Sequence, residues 1–401
     1  MAKKLTKSPV KKTAAKKKVR KTSSEKASRA SALQLHFERA GTRFDLRPHQ
    51  VLAQVKKVMS RKRHTEWLSA STARQEGSGR PEAEYQVLES AEEINMLFSL
   101  QAQASLKVCE WLSDQVALSG YENGRIGDLG CGSGVLAAWI ASRHPQCQVI
   151  GWDAMPNFVE AASSSQKARN LSFATWNYAQ SSCPEPSTCD VLITCFGVDF
   201  PTRDDLHPHV HDISSVRSGE YYRTVLGLMR SYFRGWRTAA KDQGLLHAVL
   251  RIPSDVLFLA TIDAAHEEGW DFQVGSYEYL ESGAEQFPAM AFRAASAPPH
   301  SEEVILSLWC RSAFRIAFAE EIKDAAATCA FKSLVAKTIL KEESRTYDDG
   351  RTMEAVVGTA GFLGFQYTHA TTGFARLKIM SLDEAGTAEP WFPQPAFEIM
   401  F

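Results

Sequence analysis

Apolar positions recur at helical spacing before any strand signal appears. Over 34–120, Val51, Leu52, Val55 and Val58 follow Pro48, which suits a first helical turn because the N–H it lacks would find no partner there. Ile94, Leu97, Phe98, Leu106, Cys109 and Leu112 continue that spacing from Ala91 to Val116, while 71–82, rich in Ser, Gly and charge, reads as a loop. The pattern then becomes an alternation of short apolar runs with amphipathic stretches, which predicts a mostly parallel sheet covered by helices. Strands are predicted at Arg125–Leu129, Gln148–Trp152, Leu171–Trp176, Asp190–Phe196 and Leu245–Ile252. Helices are predicted over about Ser133–Arg143, Asn157–Ala168, Glu220–Lys241 and Ser254–Glu268. Asp190–Phe196 is nearly all apolar, as befits a strand covered on both faces. Phe272–Leu280 and Ala289–Ala295 complete the set as a strand pair. Ala297-Pro298-Pro299-His300 marks a boundary. Beyond it come helical patterns around Ala313–Ala330, a turn at Asp348-Asp349-Gly350, and a meander of Arg351–Gly358, Phe362–His369 and Phe374–Met380. In the last of these Ala375, Leu377 and Ile379 alternate with Arg376 and Lys378, so one face is wet.

Composition adds a charge asymmetry. The 401 residues sum to a formal net charge of zero, yet residues 1–30 hold twelve Lys or Arg against one Glu, a net of +11. The remaining 34 basic and 45 acidic residues give −11. A segment so poor in large apolar residues cannot offset the entropy of ordering, so 1–33 is expected to be a disordered basic tail. Its lysines suit solubility, docking on the acidic body, or a nucleic-acid phosphate backbone. In a eukaryotic source they would also suit a nuclear address. No apolar run reaches the roughly 18 residues of a membrane span, and no signal-peptide core is present. The eight cysteines include no C-x-x-C pair, and Cys183, Cys189 and Cys195, six apart, suit neither a zinc ribbon nor a disulfide framework. They read as reduced thiols of a cytoplasmic protein, with no metal expected.

The chemistry concentrates at Asp128-Leu129-Gly130-Cys131-Gly132-Ser133-Gly134, which follows a strand and opens a helix. Glycines there allow a tight turn and close approach of the backbone to a ligand, and the helix start presents free N–H groups. Asp153 ends the next strand, 23 residues after Gly130, where an acid can hold ribose hydroxyls. A dinucleotide fingerprint would place its third small residue at 135, which is Val135. The D-x-G-x-G-x-G arrangement instead resembles motif I of the class I, Rossmann-like methyltransferases that use S-adenosylmethionine.

That resemblance spans roughly residues 121–296. It implies an α/β fold, a seven-stranded sheet with one antiparallel strand and helices on both faces. It also implies a set of cofactor residues: Asp128, Gly130, Cys131, Gly132 and Gly134 around the methionine part, Asp153 on the ribose, Ala154 along the adenine, and Asn177 with Tyr178 near the adenine amine. The expected organisation is a tail (1–33), a helical N-terminal extension (34–120), the methyltransferase domain (121–297) and a small α+β module (301–401). The expected function is methyl transfer to a small molecule, protein or RNA. The competing class is a scaffold that keeps the fold and binds without reacting.

The acceptor is less legible. The resemblance puts it outside strand four, where Thr194-Cys195-Phe196-Gly197-Val198-Asp199-Phe200-Pro201 departs from the Asn/Asp-Pro-Pro-aromatic signature of amine and amide methylation. Cys195 lacks the preceding proline of a cytosine-methylating nucleophile and reads as a structural thiol. Asp199 and the alternating His207, His209 and His211 are candidates for proton transfer, the histidines also for a metal, but a solvated or capping Asp and a polar loop with ordinary histidines are the leading readings. No catalytic base is assigned.

Overall fold

The computed structural model describes residues 32–76, 82–198, 217, 219–252, 255–282, 285–300, 304–305, 321–334, 337–360 and 363–392. The basic segment, Asp199 and the His207–His211 stretch lie outside them. Two compact units are distinguished: the chain up to Arg74 with Gly79–Gly124 and Asp128–Thr175, and Gln75–Ser78 with Arg125–Gly127 and Trp176–Phe401.

In the first unit, helices α1 (32–39), α2 (Pro48–Val58), α3 (Arg61–Gln75), α4 (Ala83–Gln86), α5 (Ala91–Phe98) and α6 (Ala102–Leu118) lead into strand β1 (Arg125–Leu129). Val51 and Val55, one helical turn apart, are fully buried with Met59, Trp67, Leu88, Ile94, Met96 and Leu97, and Phe158 and Ala161 close the same cluster. Two sequence expectations change here. The helix predicted over Ala91–Val116 is broken by a 3-10 turn at Ser99–Gln101. The Ser99 hydroxyl bonds back to the Asn95 carbonyl at 2.9 Å and accepts the Arg43 N–H at 2.8 Å, a local competition that disturbs a helical ladder. The loop predicted from 71 begins later, because α3 runs on to Gln75, where Arg74 lies over the Tyr85 ring at 5.5 Å and pairs with Glu84.

The large sheet has the order β3-β2-β1-β4-β5-β8-β6, with β7 also on β8. Its strands beyond β1 are β2 (Gln148–Asp153), β3 (Leu171–Thr175), β4 (Cys189–Cys195), β5 (Ala240–Val249), β6 (Asp271–Phe272), β7 (Glu278–Ser282) and β8 (Glu285–Arg293). β2 with β3 and β4 with β5 are parallel pairs, and β8 runs antiparallel to β5. The sheet is thus the Rossmann-like, parallel-dominated one expected, with eight strands rather than seven. The extra strand arises because the run predicted as Phe272–Leu280 is interrupted by a 3-10 turn at Val274–Ser276, and both halves pair with β8. α7 (Val135–Arg143) and α8 (Pro156–Ser165) belong to the first unit. α9 (Glu220–Ala239) and α10 (Asp255–Glu267) belong to the second. α9 buries Tyr222, Val225, Met229, Phe233 and Trp236 along one stripe and turns Arg230 and Arg234 to Glu268.

The C-terminal part forms a second, fully antiparallel sheet in the order β10-β11-β12-β13-β9: β9 (Glu321–Lys323), β10 (Lys337–Thr346), β11 (Thr352–Ala360), β12 (Leu363–Ala370) and β13 (Ala375–Met380). α11 (Asp324–Ser333) stacks Phe331 on Tyr367 with ring centroids 4.0 Å apart. α12 (Leu382–Thr387), capped by Ser381, packs where Gly364 leaves room: a Cβ there would stand 2.6 Å from that of Ala385. The predicted meander is present. Within the span read as helical up to Ala330, residues 321–323 are instead the strand β9, and β10 was not predicted at all. No described helix is long and apolar enough to cross a membrane.

Candidate cofactor site

The glycine loop turns because three consecutive alternate positions, Gly130, Gly132 and Gly134, have φ of +74°, +55° and +76°. At Gly134 this is compulsory on two counts. The left-handed backbone disfavours a side chain, and a Cβ would meet the Phe173 ring at 2.5 Å. The loop is pinned to β2 from both sides. Gly130 and Cys131 donate their N–H groups to the Trp152 carbonyl at 2.8 and 2.9 Å, and the Gly132 N–H donates to Asp153 Oδ2 at 2.9 Å. Asp153 Oδ1 accepts the Met155 N–H at 2.9 Å. The ribose candidate is therefore held in place by main chain. Ala154 follows it directly, partly buried.

Asp128 stands one residue before the end of β1 and is almost completely buried, and its Oδ2 has no hydrogen-bond partner. Burial first, and then the Asp153 charge, push its carboxyl up to about 7. Burial also raises Asp153, against the pull of the N–H groups of Met155, Gly132 and Ala154. Cys131 is buried too, its thiol held well above the ordinary range by burial and by the two acids. It packs against β2, 2.9 Å from where a Gly151 Cβ would sit. A glycine loop beside two buried carboxylates is a poor seat for a pyrophosphate and a good one for a cation.

Three further features of this unit were not singled out in the sequence. Phe98 of α5, partly exposed, lies 3.0 Å from where a Gly132 Cβ would be, so its ring covers the loop. Asn95, nearly fully buried on the same helix, accepts the Ser133 hydroxyl through Oδ1 at 2.5 Å and donates to the Ala40 carbonyl at 2.6 Å. His36 reaches the Val135 carbonyl at 3.1 Å. Only a tertiary contact reveals such a set, because each residue is distant from the motif in sequence.

Asn177 and Tyr178 fall in the second unit. Asn177 Oδ1 accepts the Ala179 N–H at 3.2 Å and so caps a short turn. Tyr178 is buried among Trp176, Tyr232 and Trp236, and its hydroxyl donates to the Gly197 carbonyl at 2.5 Å. Gly235 of α9 lets that chain pass: a Cβ would stand 1.9 Å from the Tyr178 carbonyl oxygen. Cys195 is partly exposed at the end of β4. Cys183 and Cys189 are buried, and burial lifts the Cys189 thiol to about 12, so neither of these two offers a thiolate.

Residues 126–217 match a family model described as a methyltransferase domain. That stretch, which holds the glycine loop and Asp153, is thus similar to methyltransferase domains. No curated protein matches the sequence. Among solved structures, the chain is similar to a TehB-like SAM-dependent methyltransferase from Corynebacterium glutamicum at 11% identity, over 46% of this chain and 86% of that one, with a TM-score of 0.32. It is also similar to TrmN from Thermus thermophilus at 15% identity, over 46% of this chain and 48% of that one, with a TM-score of 0.33. Geranyl diphosphate methyltransferase in complex with GPP and sinefungin gives 13% identity, over 50% of this chain and 81% of that one, with a TM-score of 0.33. The acceptor must be argued from this chain's own residues.

Proposed function

We propose that the protein is a methyltransferase that uses S-adenosylmethionine. The observation that carries this reading is the pair of buried carboxylates at the glycine loop, with Asp128 Oδ2 left without a partner. Such an atom suits a ligand that brings N–H donors and positive charge, and it opposes a phosphate. Asp128 would accept from the cofactor's amino group, the backbone of Gly130–Gly134 would lie along its methionine part, Asp153 would take both ribose hydroxyls, and Ala154 would line the adenine. Asn177 and Tyr178 are assigned to the adenine end on the family resemblance alone. When bound, the cofactor supplies a sulfonium-activated methyl group. The residues of the chain then have to bind, orient and exclude water, since alignment of the acceptor can account for much of the rate. Acceptor identity stays open between small molecule, protein and RNA. The +11 charge of residues 1–30 is the feature that favours a nucleic-acid contact.

Calorimetry with S-adenosylhomocysteine and with NAD tests this. The first should bind and the second should not. Asp153→Ala should cost about 1–3 kcal/mol of affinity, the worth of two hydrogen bonds to a buried diol. Binding of NAD in place of S-adenosylhomocysteine would overturn the reading.

A further inference from the structure

Ligands of open α/β sheets bind outside the carboxyl ends of the parallel strands. In the second unit, the parallel strands β4 and β5 end at Cys195 and Val249. Directly beyond them stand Phe196 and Arg251. Phe196 takes a left-handed φ of +57° and donates its N–H to the Val249 carbonyl at 2.9 Å, which fixes it to the end of β5. Its ring packs on Phe287, centroids 4.8 Å apart, and carries the Arg251 guanidinium 4.5 Å above its centroid. Arg251 is partly buried, and its Nε is buried without a hydrogen-bond partner. Among the described residues no carboxylate pairs with it. Several other arginines of the same unit meet acids: Arg217 with Asp263, Arg230 and Arg234 with Glu268, Arg237 with Asp242.

A guanidinium that is partly desolvated, held over an aromatic ring and paired with no described carboxylate is a seat for a planar or tetrahedral oxyanion, because its fork can donate two parallel N–H bonds. We infer that Arg251, on the Phe196 platform, binds an anionic group of the methyl acceptor, a carboxylate or a phosphate carried by a small molecule. The inference rests on the methyltransferase reading for the word acceptor; the anion site itself stands on Arg251 and Phe196. A small molecule is favoured over a polyanion because the described residues there offer one cation, set over the Phe196 ring, on a body whose remaining residues sum to −11.

Two measurements decide it. In the first, the full-length protein is titrated calorimetrically with benzoate, phenyl phosphate and uncharged benzamide, with and without S-adenosylhomocysteine. At least one anion should bind ten-fold or more tighter than benzamide, and Arg251→Met should abolish the difference while leaving S-adenosylhomocysteine affinity unchanged. Tighter benzoate assigns a carboxylate acceptor; tighter phenyl phosphate assigns a phosphorylated one. Equal binding of all three, or an anion preference that survives in R251M, overturns the proposal. In the second, methyl-labelled S-adenosylmethionine is incubated with a small-molecule extract and the products are passed over an anion exchanger. A retained labelled product, reduced at least ten-fold in R251M, supports the site; a labelled product that flows through overturns it and leaves the methyltransferase standing. Failure of S-adenosylhomocysteine to bind would remove the methyltransferase reading, while the titrations of the cofactor-free protein would still decide the anion site.

Discussion

Asp128 makes the sharpest residue-scale consequences. Its carboxyl sits at about 7 in the ligand-free fold against roughly 3.9 in an unfolded chain. Between those values the folded state holds a proton that the unfolded state has released. Its contribution to stability is therefore full below about pH 4 and is lost as pH rises through 7. A ligand ammonium placed at Asp128 reverses the preference, since it favours the carboxylate. Affinity for S-adenosylhomocysteine should thus weaken as pH falls from 8 to 6, by up to roughly ten-fold per unit below 7. Calorimetry across that range checks it, and Asp128→Asn should flatten the profile. Gly134 makes a steric prediction. Gly134→Ala combines a φ of +76° with a Cβ 2.5 Å from the Phe173 ring, and should lower unfolding stability by about 2–4 kcal/mol. Gly350→Ala, at a similar φ of +80° but in open space, should cost only about 1 kcal/mol. Urea titration of both variants separates the crowding from the backbone. The motif residues were legible because chemistry and spacing coincide in one short segment. Phe98, Asn95 and Arg251 were not, because what gives each its place is a contact made across the fold.

At the scale of elements, α5 is the piece that brings Phe98 and Asn95 to the loop, and its hold on the unit can be tested. Its Ser90 Oγ accepts the Glu93 N–H, and the Glu93 carboxylate, 3% exposed, meets Arg63 Nη1 at 2.7 Å and the Glu89 N–H at 2.8 Å. Arg63→Met would leave that carboxylate without its counter-charge. The loss should be about 2–3 kcal/mol in thermal or urea unfolding, below the figure for a wholly buried pair because the Arg63 side chain is 22% exposed. β1, β2 and β4, buried along most of their length, appear within a residue of expectation, and α9, with its single buried stripe, within two. β10 escaped because Lys337-Thr338-Ile339-Leu340-Lys341-Glu342-Glu343 lies at a sheet edge and is mostly exposed, so nothing imposes an apolar face on it. The 3-10 breaks at Ser99 and Val274 escaped for a different reason. Each is made by hydrogen bonds, Ser99 to Asn95 and Arg43, Ser276 to the Gln273 carbonyl and the Ala291 N–H, that hydrophobic periodicity does not register.

For the whole molecule the division of charge is the governing fact. Removing residues 1–30 would turn a chain of net zero into one of −11. If the lysines of that segment engage about six phosphates, the truncated protein should bind duplex RNA more weakly, with a salt slope smaller by about five units of log K per log salt. Filter binding from 50 to 200 mM salt checks this, and equal slopes for the two proteins would remove nucleic acid as a partner of the segment. S-adenosylhomocysteine affinity should not change, since Asp128 and Asp153 lie far along the chain. The edge strand β10 brings a hazard of another kind. It presents Ile339 and Leu340, each nearly half exposed, beside backbone groups open to pairing, which is how sheets recruit further chains into fibres. Two features oppose that. Its register with β11 slips between Ile339 and Lys341, so the edge does not run straight, and Lys337, Lys341, Glu342 and Glu343 surround the apolar pair with charge. Replacing Lys341 by Val, which gives up only a pair with the exposed Glu389, should leave the fold intact and yet shorten the shelf life of a concentrated solution, with light scattering rising over days in the variant and staying flat in the parent.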